Sequence, residues 1–411
     1  MTRLTKPNLK LLDLESVKLL IVGAGLATHK LMQRLKRLGY AGEIMVVSAE
    51  PVAGYNRVLL PEYVAGEMSA DELASDCDWL DMLTVTVLYN AEVTSIDLPG
   101  RIAEVDAADG LSLVRFDQVV LATGSEPFIP PCLDSSLSGL VPLRTLGDAN
   151  TILSRVRRDM PVTVFGGGLL GLEAADALAR LGCRVTVVHR ASCLLNRQLD
   201  ATAAELLKTK LNERGITILL DAQTVEHRQE GSSQELLLKN GLCIKSQLIV
   251  VACGTTARDN LADRAGLVCR DGVVVDESLR AKTNVFAIGE CANVVGRRYA
   301  LVDAVNAQAD VLAESLMGTH QTLRSLSLGT HLKVSGVDLF AAGDAGEASD
   351  KTDAVVFDDL NGIYRRLVFV GRRLVGAVFF GDTSLSRKVI SLLGQELSFS
   401  DRDDLLFAVR G

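Results

Sequence analysis

The sequence predicts an α/β protein in which two domains, each built on a β-α-β motif, are interleaved and a small C-terminal α+β domain follows them. Three observations predict this class. Apolar residues make up 48% of the 411 residues and aromatic residues only 4%, which suits parallel sheets covered by helices. A strand, a glycine turn, a helix and a second strand follow one another twice along the chain. After about residue 319 the pattern changes to hairpin-like segments.

The first β-α-β motif begins with an apolar run at residues 18–22, which predicts a strand. A helix is predicted over residues 27–38 and the next strand over residues 43–48. The turn between the first strand and the helix reads Gly23-Ala24-Gly25-Leu26-Ala27-Thr28. The first glycine permits a tight turn, and the second lets the backbone approach a pyrophosphate at the helix N-terminus. The predicted dinucleotide contacts are Gly23, Gly25, Leu26 and Ala27.

Two further residues bear on this first site. Thr28 replaces the third Gly or Ala of the usual pattern, so we expect slightly looser packing between helix and strand. Glu50 follows the second strand, where a carboxylate can accept hydrogen bonds from ribose hydroxyls. Glu50 is therefore included in the predicted site.

The second β-α-β motif carries the complete GxGxxG pattern. A strand is predicted over residues 161–165, a helix over residues 169–181 and a further strand over residues 184–189. The glycine pattern lies directly after the first of these strands and opens the helix, as in the first motif. The predicted dinucleotide contacts are Gly166, Gly168, Leu169, Leu170 and Gly171.

His189 and Arg190 end the second strand of this motif, where an acidic residue would select an unphosphorylated ribose. Both are assigned to the site. Arg190 could contact a 2′-phosphate, which would favour NADPH, or it could be a solvated arginine, so the nucleotide stays open. Glu173, one helical step inside, could point toward the junction with the first motif or could interact with the helix dipole.

Further predicted strands, at residues 118–122, 247–252 and 285–288, end in short turns. Such turns bring backbone amides close to a bound cofactor. The residues assigned from them are Ala122, Thr123, Gly124, Gly254, Gly289 and Glu290. The order of the turns along the chain is more specific than any single turn, because it alternates with the two glycine patterns.

This order predicts that one nucleotide-binding domain resumes after the other. We expect a short extension at residues 1–16 and a first domain made of residues 17–125 and 245–319. The second domain is then residues 126–244, and the C-terminal domain is residues 320–411.

The composition argues against several classes of protein. A net charge of −8 argues against a nucleic-acid partner. No apolar run approaches the roughly 20 residues that span a bilayer, and residues 1–16 do not have the pattern of a signal peptide. The eight cysteines form no CxxC pair and the five histidines no HxxxH pattern, so we expect no metal. A cytoplasmic protein with reduced thiols and no membrane partner is predicted.

In their order, these motifs resemble the two-dinucleotide flavoprotein reductases of the glutathione-reductase type over about residues 18–318. The resemblance implies FAD at the first site and NADH or NADPH, as co-substrate, at the second. In that family the acid at the position of Glu50 holds the ADP half of FAD, and the residue at the position of Glu290 contacts the ribityl chain. This sequence has Glu290 where the family usually has Asp.

A narrower resemblance links the chain to the FAD/NAD(P)H-binding region of the assimilatory nitrite reductase large subunit. The segments that carry it are PVAGYNRVLLPEYVAG (51–66), NRQLDA (196–201), AIGECA (287–292) and LKVSGVDLFAAGD (332–344). The resemblance implies a redox protein as electron acceptor, either a nitrite or nitrate reductase component or a carrier similar to rubredoxin or ferredoxin. This sequence lacks the cysteine clusters that bind iron–sulfur and sirohaem centres in complete nitrite reductases, so we do not expect it to reduce nitrite alone.

The same resemblance suggests individual roles. Asn56 and Arg57 would lie near the flavin or its pyrophosphate, where a cation could stabilise phosphate or reduced flavin; alternatively, Arg57 is a surface residue. Arg57 and Glu173 are the catalytic candidates. The pairs Arg365-Arg366 and Arg372-Arg373 flank a predicted hairpin and could dock an acidic carrier or be solvated. The C-terminal domain often serves dimerisation in the family, and a homodimer stays open here.

The leading hypothesis is a reductase that passes electrons from NAD(P)H through FAD to a redox partner in nitrate or nitrite assimilation. An NAD(P)H oxidase or disulfide reductase is disfavoured, because residues 56–61 hold no cysteine and Cys77 lies too far along. Cys291 is interpreted as a small buried residue. The third hypothesis is a flavin-binding redox sensor, in which Thr28 and Glu290 mark eroded catalysis.

Overall fold

The computed structural model describes residues 15–407, except 53, 75–76, 83, 325, 327–328 and 347–349. Within these residues the helices, numbered in chain order, are α1 (Leu26–Leu38), α2 (Leu60–Val64), α3 (Ala70–Leu73), α4 (Leu146–Arg155), α5 (Leu169–Arg180), α6 (Ala201–Glu213), α7 (Asn260–Arg264), α8 (Val302–Leu316), α9 (Ser386–Leu392) and α10 (Phe399–Phe407). Short 3₁₀ turns occupy Arg57–Leu59, Asp78–Asp81 and Gly289–Cys291.

The strands, numbered in the same way, are β1 (Glu15–Val22), β2 (Ile44–Val47), β3 (Val85–Leu88), β4 (Glu92–Asp97), β5 (Ile102–Ala107), β6 (Gly110–Leu121), β7 (Ser125–Pro127), β8 (Leu140–Pro142), β9 (Pro161–Phe165), β10 (Arg184–Val188), β11 (Thr217–Leu219), β12 (Thr224–Glu230), β13 (Ser233–Leu238), β14 (Cys243–Ser246), β15 (Leu248–Val251), β16 (Thr255–Ala257), β17 (Val273–Val275), β18 (Arg280–Lys282), β19 (Val285–Ala287), β20 (Ala292–Val294), β21 (Arg297–Arg298), β22 (Gly329–His331), β23 (Leu339–Gly343), β24 (Lys351–Asp358), β25 (Ile363–Val370) and β26 (Arg373–Phe380).

The chain divides into two compact units, each assembled from three stretches. The first unit contains the described parts of residues 1–56, 70–126 and 255–326. The second unit contains the described parts of residues 57–69, 127–254 and 327–411. Each unit therefore contains one of the two β-α-β motifs.

The first unit is built on a parallel sheet. Strands β19, β6, β1, β2 and β3 lie side by side in that order, and β18 adds to one edge in the antiparallel direction. The central strand β1 reads Leu-Leu-Ile-Val at its end, and these residues are buried, as expected of a parallel strand that is covered on both faces. Helix α1 follows β1 and ends before Gly39, whose φ of 73° closes the helix.

The second unit contains a parallel sheet and two antiparallel sheets. Strands β11, β10, β9, β15 and β8 are all parallel and carry helix α5 after β9. Strands β12, β13 and β14 form an antiparallel meander that the sequence analysis did not predict. The predicted α/β class is confirmed, and both predicted motif helices are confirmed to within one residue at each end.

The C-terminal residues of the second unit form an antiparallel sheet, here called the C-terminal sheet, with strand order β22, β23, β26, β25, β24. The predicted hairpin of residues 363–370 and 374–380 is confirmed as β25 and β26, joined at Gly371 with φ 62°. Phe340, Leu367 and Phe379 pack in its core with residues of α9 and α10.

The hypothesis that Arg365 and Arg366 dock a partner or are solvated is wrong. Both side chains are almost completely buried, at 2% and 3% exposed. Arg365 Nη2 donates to Asp382 Oδ2 at 2.8 Å, and Arg366 Nε donates to Asp353 Oδ2 at 3.0 Å. Their charges are therefore neutralised within the protein, whereas Arg372 in the turn and Arg373 at the start of β26 are exposed.

The described helices are all too short, or not apolar enough, to cross a membrane.

Replacing Asp382 by Asn should lower the free energy of unfolding by about 3 kcal/mol, because Arg365 would keep a buried charge without its counter-ion. Chemical denaturation followed by circular dichroism measures this change. Asp404→Asn, in α10, is the matched control. Asp404 pairs with Lys388 at 3.6 Å on the surface, so its loss should cost less than about 1 kcal/mol. Equal losses in the two variants would contradict a role for the buried pair.

Candidate functional site

The first glycine turn lies at the carboxyl end of β1, against the end of β6. Gly23 has a φ of 104°, and a Cβ atom there would lie 2.3 Å from the carbonyl oxygen of Ala122. Only glycine fits this contact. Gly25 begins α1 without a side-chain cap, and a Cβ at Gly25 would meet no atom within 4 Å. The amides of the first helical turn are thus left without a capping side chain beside open space, which fits a pyrophosphate.

Thr28 makes a contact with this turn that was not expected from the sequence. Its side chain is fully buried, and Thr28 Oγ1 donates to the carbonyl oxygen of Gly23 at 2.6 Å. The threonine hydroxyl therefore joins the helix to the turn through a hydrogen bond that the usual Gly or Ala could not make.

Glu50 lies past the end of β2, at the same edge of the sheet. Glu50 Oε2 accepts a hydrogen bond from the Tyr55 hydroxyl at 2.8 Å, and the backbone N–H of Glu50 donates to Ser48 Oγ at 3.2 Å. The backbone N–H of Asn56 donates to the carbonyl oxygen of Leu73 at 2.9 Å. The carboxylate is thus held at the edge of the sheet where the glycine turn lies.

The turns after β6 and β19 meet the start of α1. A Cβ at Gly289 would lie 3.0 Å from the Cβ of Ala27, which is in the first turn of α1, next to Leu26. Ser125 Oγ donates to Glu290 Oε2 at 2.6 Å. Together with the Gly23 contact to Ala122, these contacts bring the three predicted turns together.

The remaining residues of these turns are held in place by the backbone. Gly124 has a φ of 71° and open space at its Cβ position. Thr123 Oγ1 donates to the carbonyl oxygen of Arg258 at 2.6 Å. Cys291 is fully buried, its thiol donates to the carbonyl oxygen of Ile288 at 3.2 Å, and burial raises the thiol pKa. The interpretation of Cys291 as a small buried residue is confirmed.

Gln308 is a residue of this site that the sequence analysis missed. It lies on α8, is fully buried, and its Oε1 accepts the N–H of Gly289 at 2.7 Å. The only signal in the sequence was a polar residue on the apolar face of a helix. Gln308 therefore fixes the orientation of the Gly289 turn.

The second glycine turn repeats the geometry of the first. Gly166 has a φ of 126°, and a Cβ there would lie 2.3 Å from the carbonyl oxygen of Ala252. Gly168 begins α5 without a side-chain cap and has open space at its Cβ position, whereas a Cβ at Gly171 would lie 2.1 Å from the carbonyl oxygen of Gly166. Leu169 and Leu170 form the first turn of the helix.

The residues after β10 and β15 lie at the carboxyl edge of the same sheet. His189 Nδ1 accepts the N–H of Gly167 at 3.1 Å, and burial lowers the His189 pKa, so the neutral ring supports the turn. Arg190 is exposed. Gly254 has a φ of 107° and open space at its Cβ position.

The catalytic candidates Arg57 and Glu173 both belong to the second unit. Arg57 is partly exposed and its Nη1 donates to the carbonyl oxygen of Arg144 at 3.4 Å. Glu173 lies beyond the first turn of α5, so its interaction with the helix dipole is not supported. Instead, Glu173 Oε1 accepts the backbone N–H of Lys333 at 3.0 Å.

Glu173 lines a cavity of about 310 Å³ within the second unit. Burial, opposed by Lys333 and aided by the nearby Glu62 carboxylate, raises the pKa of Glu173 to about 7. Lys333 Nζ lies 3.2 Å from Glu62 Oε1. The cavity is lined by Pro61, Glu62, Glu67, Glu173, Asp176, Ala177, Arg180, Lys333, Val334 and Ser335. No sequence motif links Glu62 or Lys333 to Glu173, so neither residue was predicted. The described residues form no cluster of three or more side chains that could hold a metal ion.

Two protein-family models match the chain. One describes pyridine nucleotide-disulphide oxidoreductases and matches residues 17–310. The other describes the C-terminal domain of rubredoxin NAD+ reductases and matches residues 329–397.

Curated relatives and a solved structure agree with these matches. The chain is 34% identical to a nitrite reductase [NAD(P)H] of Bacillus subtilis over 93% of this chain and 48% of that protein. It is 32% identical to the assimilatory nitrate reductase electron transfer subunit of the same organism, over 92% and 49%. The chain thus spans about half the length of these relatives. The crystal structure of a covalent putidaredoxin reductase–putidaredoxin complex matches with a TM-score of 0.83 and 22% identity, covering 92% of this chain and 94% of that one.

Replacing Glu173 by Gln should remove a pH-dependent part of the stability. Because the Glu173 pKa is higher in the folded protein than in the unfolded chain, its stabilisation is complete below pH 4.5 and is lost as the pH rises through about 7. This change corresponds to about 3 kcal/mol. Between pH 5 and pH 8 the unmodified protein should therefore lose free energy of unfolding relative to Glu173→Gln. Chemical denaturation at each pH measures this difference.

Gln keeps an acceptor for the Lys333 N–H, so the comparison isolates the charge. Glu205→Gln, on the exposed side of α6, controls for the general loss of a carboxylate. A constant difference between Glu173→Gln and the unmodified protein across this pH range would show that burial does not act on Glu173 as described.

Proposed function

The chain belongs to the pyridine nucleotide-disulphide oxidoreductase family, and from this premise we propose that it is an NAD(P)H-dependent flavoprotein reductase that delivers electrons to a redox protein. The resemblance to the FAD/NAD(P)H-binding region of nitrite reductases is confirmed by relatives at 31–34% identity over most of the chain. Because the chain spans about half of those relatives, the identity of its acceptor is part of the proposal.

The observation that carries the proposal is the meeting of three turns at the start of α1. Three contacts form one edge of the first unit: Gly23 lies against Ala122, Gly289 lies against Ala27, and Ser125 is hydrogen-bonded to Glu290. We assign this edge to FAD. The uncapped helix start would bind the pyrophosphate, and Glu50, oriented by Tyr55, would accept hydrogen bonds from ribose. When bound, FAD accepts a hydride and returns electrons one or two at a time.

The second glycine turn is assigned to the nicotinamide nucleotide. Gly166, Gly168 and Gly171 provide the same open helix start in the second unit. Arg57 and Glu173 are proposed as the residues that act near the reacting groups, Arg57 as a fixed cation and Glu173 as a group that can hold a proton near pH 7. The assignment of the two glycine turns also supports a proposed division into domains. The FAD domain is residues 17–125 and 245–319, the nucleotide domain is residues 126–244, and a C-terminal domain follows.

The acceptor is proposed to be a component of nitrite or nitrate reduction or a small iron–sulfur carrier. The names of the two Bacillus relatives and the rubredoxin reductase C-terminal match support a protein acceptor. Eight cysteines without disulfides support a reducing compartment, and we propose the cytoplasm.

The first test is anaerobic titration of the purified holoprotein with NADPH and, separately, with NADH. One equivalent of the preferred nucleotide should bleach the flavin absorbance, and a redox protein should reoxidise the flavin faster than oxygen does. Flavin that neither nucleotide reduces would instead support a redox sensor. Rapid turnover with oxygen or disulfides alone would support the oxidase or disulfide reductase alternative.

Arg190→Ala should distinguish the nucleotides. We propose that Arg190 binds a 2′-phosphate, because it is exposed beside the second glycine turn and no acidic residue occupies positions 189 or 190. Loss of this charge-assisted contact should raise the KM for NADPH about tenfold and leave the KM for NADH unchanged. Arg184→Ala, which removes an exposed arginine at the opposite end of β10, is the control. An equal effect on both nucleotides would contradict the assignment.

A further inference from the structure

A series of contacts within the second unit connects the C-terminal sheet with the second glycine turn. At one end is Gly167, the middle residue of the three glycines. Its N–H donates to His189 Nδ1 at 3.1 Å, and its carbonyl oxygen accepts the N–H of Leu195 at 3.1 Å. A Cβ at Gly167 would lie 2.7 Å from His189 Cγ and 2.8 Å from Leu194 Cδ2. The position of the turn is therefore coupled to that of Leu194 and Leu195.

Residues 195–199 form a compact turn that must be held from outside. Leu195 has a φ of 47°, a conformation that costs energy for a residue with a branched side chain and persists only where its surroundings enforce it. The carbonyl oxygen of Leu195 accepts the N–H groups of Gln198 at 2.7 Å and Leu199 at 3.0 Å. The next residue along the chain is Asp200, so the position of Asp200 sets where this turn ends.

Asp200 is bound from two sides. Its Oδ1 caps α6 by accepting the N–H groups of Thr202 at 3.0 Å and Ala203 at 3.1 Å. The same oxygen accepts the Tyr364 hydroxyl at 3.0 Å, and Oδ2 lies 3.6 Å from Arg366 Nη1. Tyr364 and Arg366 are two residues apart on β25 and so face the same side of the C-terminal sheet.

Tyr364 and Arg366 are themselves fixed. Arg366 is held by Asp353 Oδ2 at 3.0 Å and by the carbonyl oxygen of Ala345 at 2.7 Å. Burial and the Asp200 carboxylate raise the pKa of the Tyr364 phenol, and Arg366 lowers it, so Tyr364 stays a donor. The C-terminal sheet thus presents Asp200 with one oriented hydrogen-bond donor, Tyr364, and one fixed cation, Arg366.

We propose that Tyr364 and Arg366 are positioning residues for the nicotinamide nucleotide, acting through Asp200 and residues 195–199 on the Gly167 turn. Neither residue needs to touch the nucleotide. The inference rests on the proposed assignment of this turn to NADPH or NADH. It gives the C-terminal sheet a part in nucleotide binding in addition to any role with an acceptor.

The test compares Tyr364→Phe and Arg366→Lys with the unmodified protein, each loaded with FAD. Calorimetric titration with NADP⁺ and with NAD⁺ should show the Kd of the preferred nucleotide rising about fivefold in each variant. Tyr364→Phe removes a hydrogen bond to the Asp200 carboxylate, and Arg366→Lys removes the guanidinium that faces it. In turnover, KM should rise while kcat at saturating nucleotide changes little. The flavin content should stay the same.

Arg365→Lys is the matched control. Arg365 neighbours Arg366 on β25, is equally buried, and binds Asp382 and the carbonyl oxygen of Leu406 instead of Asp200. Arg365→Lys should leave the Kd unchanged. Unchanged affinity in Tyr364→Phe, or an equal loss in Arg365→Lys, would overturn the inference. Tyr364→Phe removes a single oxygen atom, so it decides the question if Arg366→Lys does not retain FAD.

A different result would count against the proposed function itself. If the unmodified holoprotein bound neither NADP⁺ nor NAD⁺, the assignment of the glycine turn would fail before any variant was compared. Asp200→Asn adds an internal check, because Asn keeps an acceptor for the α6 amides while losing the charge that faces Arg366. Its effect on the Kd should not add to that of Arg366→Lys if both residues act through the same contact.

Discussion

The architecture of both units depends on one contact, in which a glycine at the end of a parallel strand lies against the backbone of the neighbouring strand. Gly23 meets Ala122, and Gly166 meets Ala252, with the same 2.3 Å between a hypothetical Cβ and a carbonyl oxygen. A side chain at either position would separate the strand ends. The helix start would then move away from the sheet edge, and the turns that meet there would lose their contacts with one another.

The parts of the fold that could be predicted are those with a local signal. Strand β9 and helix α5 have uninterrupted apolar or periodic sequences on either side of a glycine turn, so their ends were predicted within one residue. Strand β6 was predicted only from residue 118, whereas it begins at Gly110. Its first half pairs with β5 in a meander and alternates polar with apolar residues. The similar meander of β12, β13 and β14 was not predicted, because the composition of these segments does not indicate strands. They are recognised only by how they pair with one another.

In the candidate sites, too, only residues with a local sequence signal could be predicted. The glycine turns could be predicted from spacing, but Gln308 and Lys333 act on them or on Glu173 from elements far away in the sequence. The arginine pair at residues 365–366 shows the opposite error. Two adjacent basic residues look like a surface feature, yet alternation along a strand turns them to opposite faces. Arg365 meets the buried carboxylate of Asp382, and Arg366 meets the half-exposed Asp353 and the buried Asp200. Their partners could not be identified without the tertiary structure.

The division of the first unit among separate stretches also affects how it is made. Strand β19 and the Gly289 turn are synthesised long after β1, β2 and β6, because residues 127–254 come between them. At 5–20 residues per second, this delay is roughly ten to thirty seconds. Until then the nascent sheet has one open edge at β6, and the contact between Gly289 and Ala27 does not exist. On the ribosome, the parallel sheet of the second unit is complete, up to β15, before that of the first.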